Sequence, residues 1–123
     1  VLAVGLGVTC RCELTEEQTA AIRSSEDPVA KLIMRMREHW NSSHIYLHDP
    51  LAVAVAYRQD FVTVQQRKVG VEISGEYTRG MVVNLSDFNW RQNAGQSNVR
   101  VCREVDHRGF TDFYVQRVLQ LQS

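Results

Sequence analysis

His48 and Asp49 stand side by side, and Pro50 follows them. An imidazole holds and releases a proton near neutral pH. A carboxylate beside it can accept a backbone N–H bond or hold a cation. Pro50 suits the first turn of a helix, where its missing N–H costs nothing and its fixed φ is already helical. Asp49 is therefore expected at the N-cap, facing the positive end of the helix dipole. The same two residues also read simply as a cap with a neighbouring histidine. His44 and His48 have the i, i+4 spacing of a metal pair. That pairing would need a helix over Ile45-Tyr46-Leu47 just ahead of a proline, a position that disfavours helix. Ile45 also stands where a zinc-protease motif has glutamate, so no zinc site is expected.

The elements that must position His48 are read from capping and periodicity. Leu2 to Cys12 is almost continuously apolar and predicts a strand buried on both faces. On such a strand Cys10 and Cys12 share a face as small buried hydrophobes. Thr15-Glu16-Glu17-Gln18 is a capping-box pattern, opening a helix to about Ser24. Asp27-Pro28 opens a second helix. Val29, Leu32, Ile33, Met36 and Trp40 form its apolar stripe and are expected in the core. The helix from Pro50 to about Gln59 has almost no polar face before Tyr57-Arg58. It is expected to be buried nearly all round, with further structure packed against it.

Strands follow at Phe61–Gln65, Lys68–Ile73, Arg79–Leu85 and Asn98–Val105, with a turn at Ser74-Gly75-Glu76. Ser86 to Ser97 reads as a polar surface loop carrying Trp90. Asp106 caps a last helix with Phe110, Phe113, Tyr114, Val118 and Leu121 on its apolar side. The order is an α/β pattern without the regular βαβ opening of a complete doubly wound domain.

The 123 residues fit one domain, read here as a single partial domain over 1–123. Lys+Arg and Asp+Glu are both 14, so no basic excess points to nucleic acid. Apolar runs fall short of a membrane span, and Val1–Val4 lacks the basic flank of a signal peptide. Three cysteines without a CxxC fit a reducing, cytoplasmic setting. A first residue of Val hints at a fragment or a processed chain.

Four stretches, in order, carry a resemblance. They are Gly5-Leu6-Gly7-Val8-Thr9 with Leu14-Thr15-Glu16-Glu17, Leu47-His48-Asp49-Pro50-Leu51-Ala52-Val53-Ala54, Val71 to Met81 around Ser74-Gly75-Glu76-Tyr77-Thr78-Arg79-Gly80, and Asn98-Val99-Arg100-Val101 through Val105-Asp106. The sequence resembles the C-terminal part of the inosine-uridine preferring nucleoside hydrolases. That resemblance implies the C-terminal part of a Rossmann-like α/β fold, with mixed strands and helices and incomplete. It implies hydrolysis of a ribonucleoside to ribose and free base, in nucleoside salvage, with a bound calcium ion. It gives His48 the role of proton donor to the leaving base and Asp49 that of a calcium ligand, both in contact with substrate.

The residue types suit that chemistry. Protonation helps a base depart, and calcium takes hard oxygen ligands. Departures from the family pattern are equally plain. The Asp-rich DxDxxxDD cluster is absent, and Asp27, Asp49, Asp60, Asp87, Asp106 and Asp112 stand singly. Gly7 replaces an expected Asp or Asn. One carboxylate cannot satisfy an ion that takes about six to eight oxygens. The implied partners are an N-terminal half or a second copy of the chain. Tyr46, His44 and Trp40, just upstream, could face the base, although packing or surface is the simpler reading. Glu76 and Arg79 are expected to support their turn, as an ion pair. The alternative function is a non-catalytic scaffold or interaction protein derived from the same family.

Overall fold

A computed structural model describes residues 1–40, 43–87 and 97–120. A three-stranded sheet, ordered β1-β5-β2, carries the fold. β1 (Leu2–Ala3) runs parallel to β5 (Val99–Val105), with Leu2 opposite Arg100. β2 (Val62–Arg67) runs antiparallel to β5, with a register shift between Thr63 and Val64. A separate ribbon pairs β3 (Val69–Val71) with β4 (Val82–Asn84). The helices are α1 (Leu6–Thr9), α2 (Glu16–Ser24), α3 (Pro28–His39), α4 (His48–Tyr57) and α5 (His107–Gln120). Ile22 of α2, Leu51 and Val55 of α4, Phe110 of α5 and Cys12 are fully enclosed at the centre. The mixed α/β architecture agrees with the sequence reading.

The helix starts follow the capping chemistry. Thr15 and Gln18 make the reciprocal capping box, with Gln18 N–H donating to Thr15 Oγ1 at 3.2 Å and Thr15 N–H donating to Gln18 Oε1 at 3.0 Å. Asp27 Oδ1 accepts from Val29 N–H at 2.7 Å and Ala30 N–H at 3.3 Å, while Pro28 takes the first helical position. Asp106 Oδ1 accepts from Gly109 N–H at 3.0 Å at the start of α5.

Four expectations are corrected. The strand foreseen over Leu2–Cys12 stops at Ala3, and the chain turns at Gly5 into α1. Glycines at 5 and 7 weaken an extended strand. One helical turn buries Val8 and Thr9 and closes its own bonds, Thr9 N–H to Gly5 O at 3.1 Å and Cys10 N–H to Leu6 O at 2.9 Å. That turn separates the two cysteines. Cys10 is exposed, and Cys12 is buried, which pushes its thiol up to about 11.

Of the apolar stripe foreseen for α3, Ile33 packs against the core and the other members do not face it. Ala30 and Met34 are buried and Ile33 is half-buried, whereas Val29, Leu32 and Met36 are about half exposed and Trp40 is 80% exposed. Apolar residues occupy both sides of this helix, and the side with small Ala30 allows the closer approach of its neighbours.

Finally, α4 is not enclosed all round. Leu51, Ala54 and Val55 face inward, while Val53 is 64% and Tyr57 67% exposed. The bend after β3 is organised by Glu72 instead of a Glu76–Arg79 pair. Glu72 Oε1 accepts from Ser74 N–H at 2.7 Å and Gly75 N–H at 3.2 Å, which holds its carboxyl below the usual range. Glu76 and Arg79 are exposed, and no ion pair among the described residues joins them. Most of the foreseen Ser86–Ser97 loop, including Trp90, lies outside the described residues, as does Leu121. Among the described residues no helix is long and apolar enough to cross a membrane.

The two sides of α4 make a stability test. Leu51→Ala should destabilise the chain by about 2–5 kcal/mol, the cost of a fully enclosed leucine. Val53→Ala should cost less than about 0.5 kcal/mol, as at an exposed site. Urea denaturation followed by circular dichroism measures both. Equal losses would mean that α4 is covered on both sides.

Candidate active site

The first turn of α4 is set by an extended segment just before it. Leu14 N–H donates to Ile45 O at 3.0 Å and Leu47 N–H donates to Cys12 O at 2.8 Å, with Glu13 bridged antiparallel to Tyr46. This short pairing brings the end of α1 beside the start of α4. The N-cap is Leu47, which offers no side-chain bond. Asp49 is therefore not the cap foreseen from the sequence. It lies inside the first turn, helical despite the proline after it, and is exposed. Its carboxylate still sits where the helix dipole favours negative charge, and Pro50 still falls where an N–H has no helical partner.

His48 is half-buried, and its Nδ1 lies 2.8 Å from Thr9 Oγ1 at the end of α1. Thr9 is only 3% exposed. Sequence reasoning assigned Thr9 no role. Its contact with His48 crosses 39 residues and depends on the α1 turn that was read as strand. The one available signal was the place of Thr9 in the family-like Gly5–Thr9 stretch.

Residues 44, 46 and 48 project their rings along one side of the extended segment. Tyr46 stacks on His48 with centroids 5.6 Å apart and planes at 26°, and His44 stacks on Tyr46 at 6.0 Å and 23°. His44 Nδ1 pairs with the Glu13 carboxylate. The same carboxylate, close to Tyr46, pushes the Tyr46 phenol above its ordinary range. The structure thus joins His44 and Tyr46 to His48, while Trp40 lies at the exposed end of α3. His44 and His48 do not converge as a metal pair, because their Nδ1 atoms meet Glu13 and Thr9.

Beside this ladder lies an open groove of about 770 Å³, lined by Glu13, Thr15, Thr19, Arg23, Arg37 and His44 among others. His48 and Asp49 are not part of its lining. Among the described residues no three His, Cys, Asp or Glu side chains gather as a metal site. Calcium therefore does not fit the described residues alone. Asp49 can offer it one ligand.

The inosine-uridine preferring nucleoside hydrolase family matches residues 1–112. The chain belongs to that family. It is 31% identical to the pyrimidine-specific ribonucleoside hydrolase RihA of Shewanella woodyi, over 91% of this chain and 38% of that protein. RihA of Citrobacter koseri is 29% identical over 96% of this chain and 40% of its own length. A solved purine-preferring ribonucleoside hydrolase from Gardnerella vaginalis superposes with a TM-score of 0.75 at 28% identity, covering 98% of this chain and 40% of that one. The plant nucleoside hydrolase PpNRh1 shares the fold, with a TM-score of 0.78 at 23% identity over 97% of this chain and 41% of its own. The chain thus spans about 40% of the length of these relatives. It carries part of the nucleoside hydrolase fold.

Glu13 is the charge that acts on Tyr46. Glu13→Gln should lower the Tyr46 pKa toward the ordinary tyrosine value of about 10. A titration followed by ¹³C NMR of labelled tyrosine ring carbons reads this directly. An unchanged midpoint would place the cause elsewhere.

Proposed function

We propose that this chain supplies the His-Asp wall of a ribonucleoside hydrolase site and works together with the remainder of the fold. The observation that carries the reading is His48 in a nucleoside hydrolase chain, half-buried at the first turn of α4 and tied through Nδ1 to Thr9. An imidazolium so held can give its proton to the departing base. The N-glycosidic bond breaks, its electron pair leaves with the base, and the base gains the proton. Water adds its hydroxyl to the anomeric carbon, and in this reading the proton of that water passes to a base supplied by the remainder of the fold. Such general-acid help contributes about 10²–10⁴-fold. Asp49 is the calcium ligand in this reading, with the other ligands supplied outside the chain. The exposed side of α4, with Val53 and Tyr57, favours a covering part of the fold over an isolated existence. A reducing, cytoplasmic setting suits its three free thiols.

The relatives are named for pyrimidine and for purine substrates alike, so the proposed substrate class is ribonucleosides of either kind. The second reading is a non-catalytic interaction protein of the same family. It is favoured by the lack of a gathered metal site among the described residues.

The test combines the chain with a polypeptide supplying the other 60% or so of a relative's fold, the part outside the span matched here. Base release from uridine and inosine is followed with calcium present. The expected result is no release by either piece alone and release by the mixture, lost on adding a chelator. No release from the mixture, in spite of a stable complex, would favour the interaction protein.

A further inference from the structure

We infer that Thr9 is the positioning residue for His48. It engages Nδ1 and so makes Nε2 the atom that passes the proton. The inference deepens the hydrolase reading and rests on it for its function, but its geometry stands by itself.

Thr9 Oγ1 and His48 Nδ1 lie 2.8 Å apart, within ordinary hydrogen-bond distance. Thr9 is 3% exposed, so water does not compete freely for its hydroxyl. Which ring nitrogen of a histidine does chemistry is set by the bond that the other nitrogen makes. A threonine hydroxyl both donates and accepts. It can therefore pair with Nδ1 in each protonation state of the ring. In the imidazolium, Nδ1–H donates to Thr9 Oγ1 while Nε2–H is free to donate to a leaving group. After transfer from Nε2 the ring is neutral and keeps its proton on Nδ1, and that bond to Thr9 persists. The ring need not turn between the two states.

The two ends of this bond are both fixed by backbone. Thr9 closes α1, where its N–H is bonded to Gly5 O at 3.1 Å. His48 opens α4, anchored by the Leu47–Cys12 bond at 2.8 Å. Tyr46 stacks on one face of the His48 ring and limits its rotation. A group held by packing and a hydrogen bond on rigid elements is what proton transfer to a defined atom requires.

Alkylation of the folded chain with iodoacetate, followed by mapping of the modified nitrogen of His48, tests the assignment. It needs no catalytic activity. The expected wild-type product is alkylated at Nε2 over Nδ1 by about tenfold or more, as one hydrogen bond would protect. Thr9→Ser should keep that ratio. Thr9→Val and Thr9→Ala, each checked for native circular dichroism, should bring the two products to comparable yield. Substantial Nδ1 alkylation in the wild type, alkylation at neither nitrogen, or an unchanged ratio in a folded Val or Ala variant would overturn the assignment. Should Val and Ala both fail to fold, the wild-type ratio alone decides. In an active assembly, Thr9→Val should lower kcat about tenfold with KM little changed, and Thr9→Ser should restore it. The expected alkylation pattern with no base release from the mixture, in spite of a stable complex, would leave Thr9 in place and remove the hydrolase reading.

Discussion

The candidate site depends on two backbone hydrogen bonds. Leu47 N–H to Cys12 O and Leu14 N–H to Ile45 O lock the segment before α4 against the segment after α1. Without that pairing Thr9 and His48 are separated by 39 residues of chain and have no reason to meet. With it, one end of each helix is fixed to within the length of a hydrogen bond. The core reinforces the lock, since Cys12, Leu14 and Leu47 are all buried. Leu51 and Val55, one and two turns into α4, anchor the helix beneath the site. Burial of these apolar side chains is what holds polar groups in register at the rim.

The acidic side of the site reads differently from a complete enzyme. Asp49 is exposed, and no metal-binding group gathers around it among the described residues. The ladder of His44, Tyr46 and His48 is held at both ends, by Glu13 and by Thr9, and the groove that His44 lines is open. A polar wall beside an open groove fits a partial fold. The share of the relatives' length covered by this chain, about 40%, agrees with that reading. Val53 and Tyr57 leave one side of the nearly all-apolar α4 exposed.

Much of this was legible in the sequence, because caps are local. Thr15 with Gln18, Asp27 and Asp106 announced three helix starts, and each makes the bonds its type allows. The His48-Asp49-Pro50 run likewise located α4, although the cap moved back to Leu47. What failed were inferences about which side of an element faces inward. Helical periodicity in α3 was satisfied by two sets that overlap at Ile33, the foreseen Val29-Leu32-Ile33-Met36-Trp40 and the observed Ala30-Ile33-Met34, and only packing chooses between them. The apolar run Leu2–Cys12 gave no period to distinguish a strand from a short strand plus one helical turn. Thr9 was invisible as a site residue for the same reason. Its partner is distant in sequence, and its orientation depends on α1.

Leaving-group dependence is the most direct measure of His48 as a proton donor. In the reassembled protein, His48→Ala is compared with wild type on inosine or uridine and on p-nitrophenyl riboside, whose phenolate departs without protonation. General-acid catalysis predicts a loss of about 10²–10⁴-fold on the nucleosides and little change on the nitrophenyl substrate. Equal losses on both substrates would contradict it, and would leave His48 as a structural residue of α4.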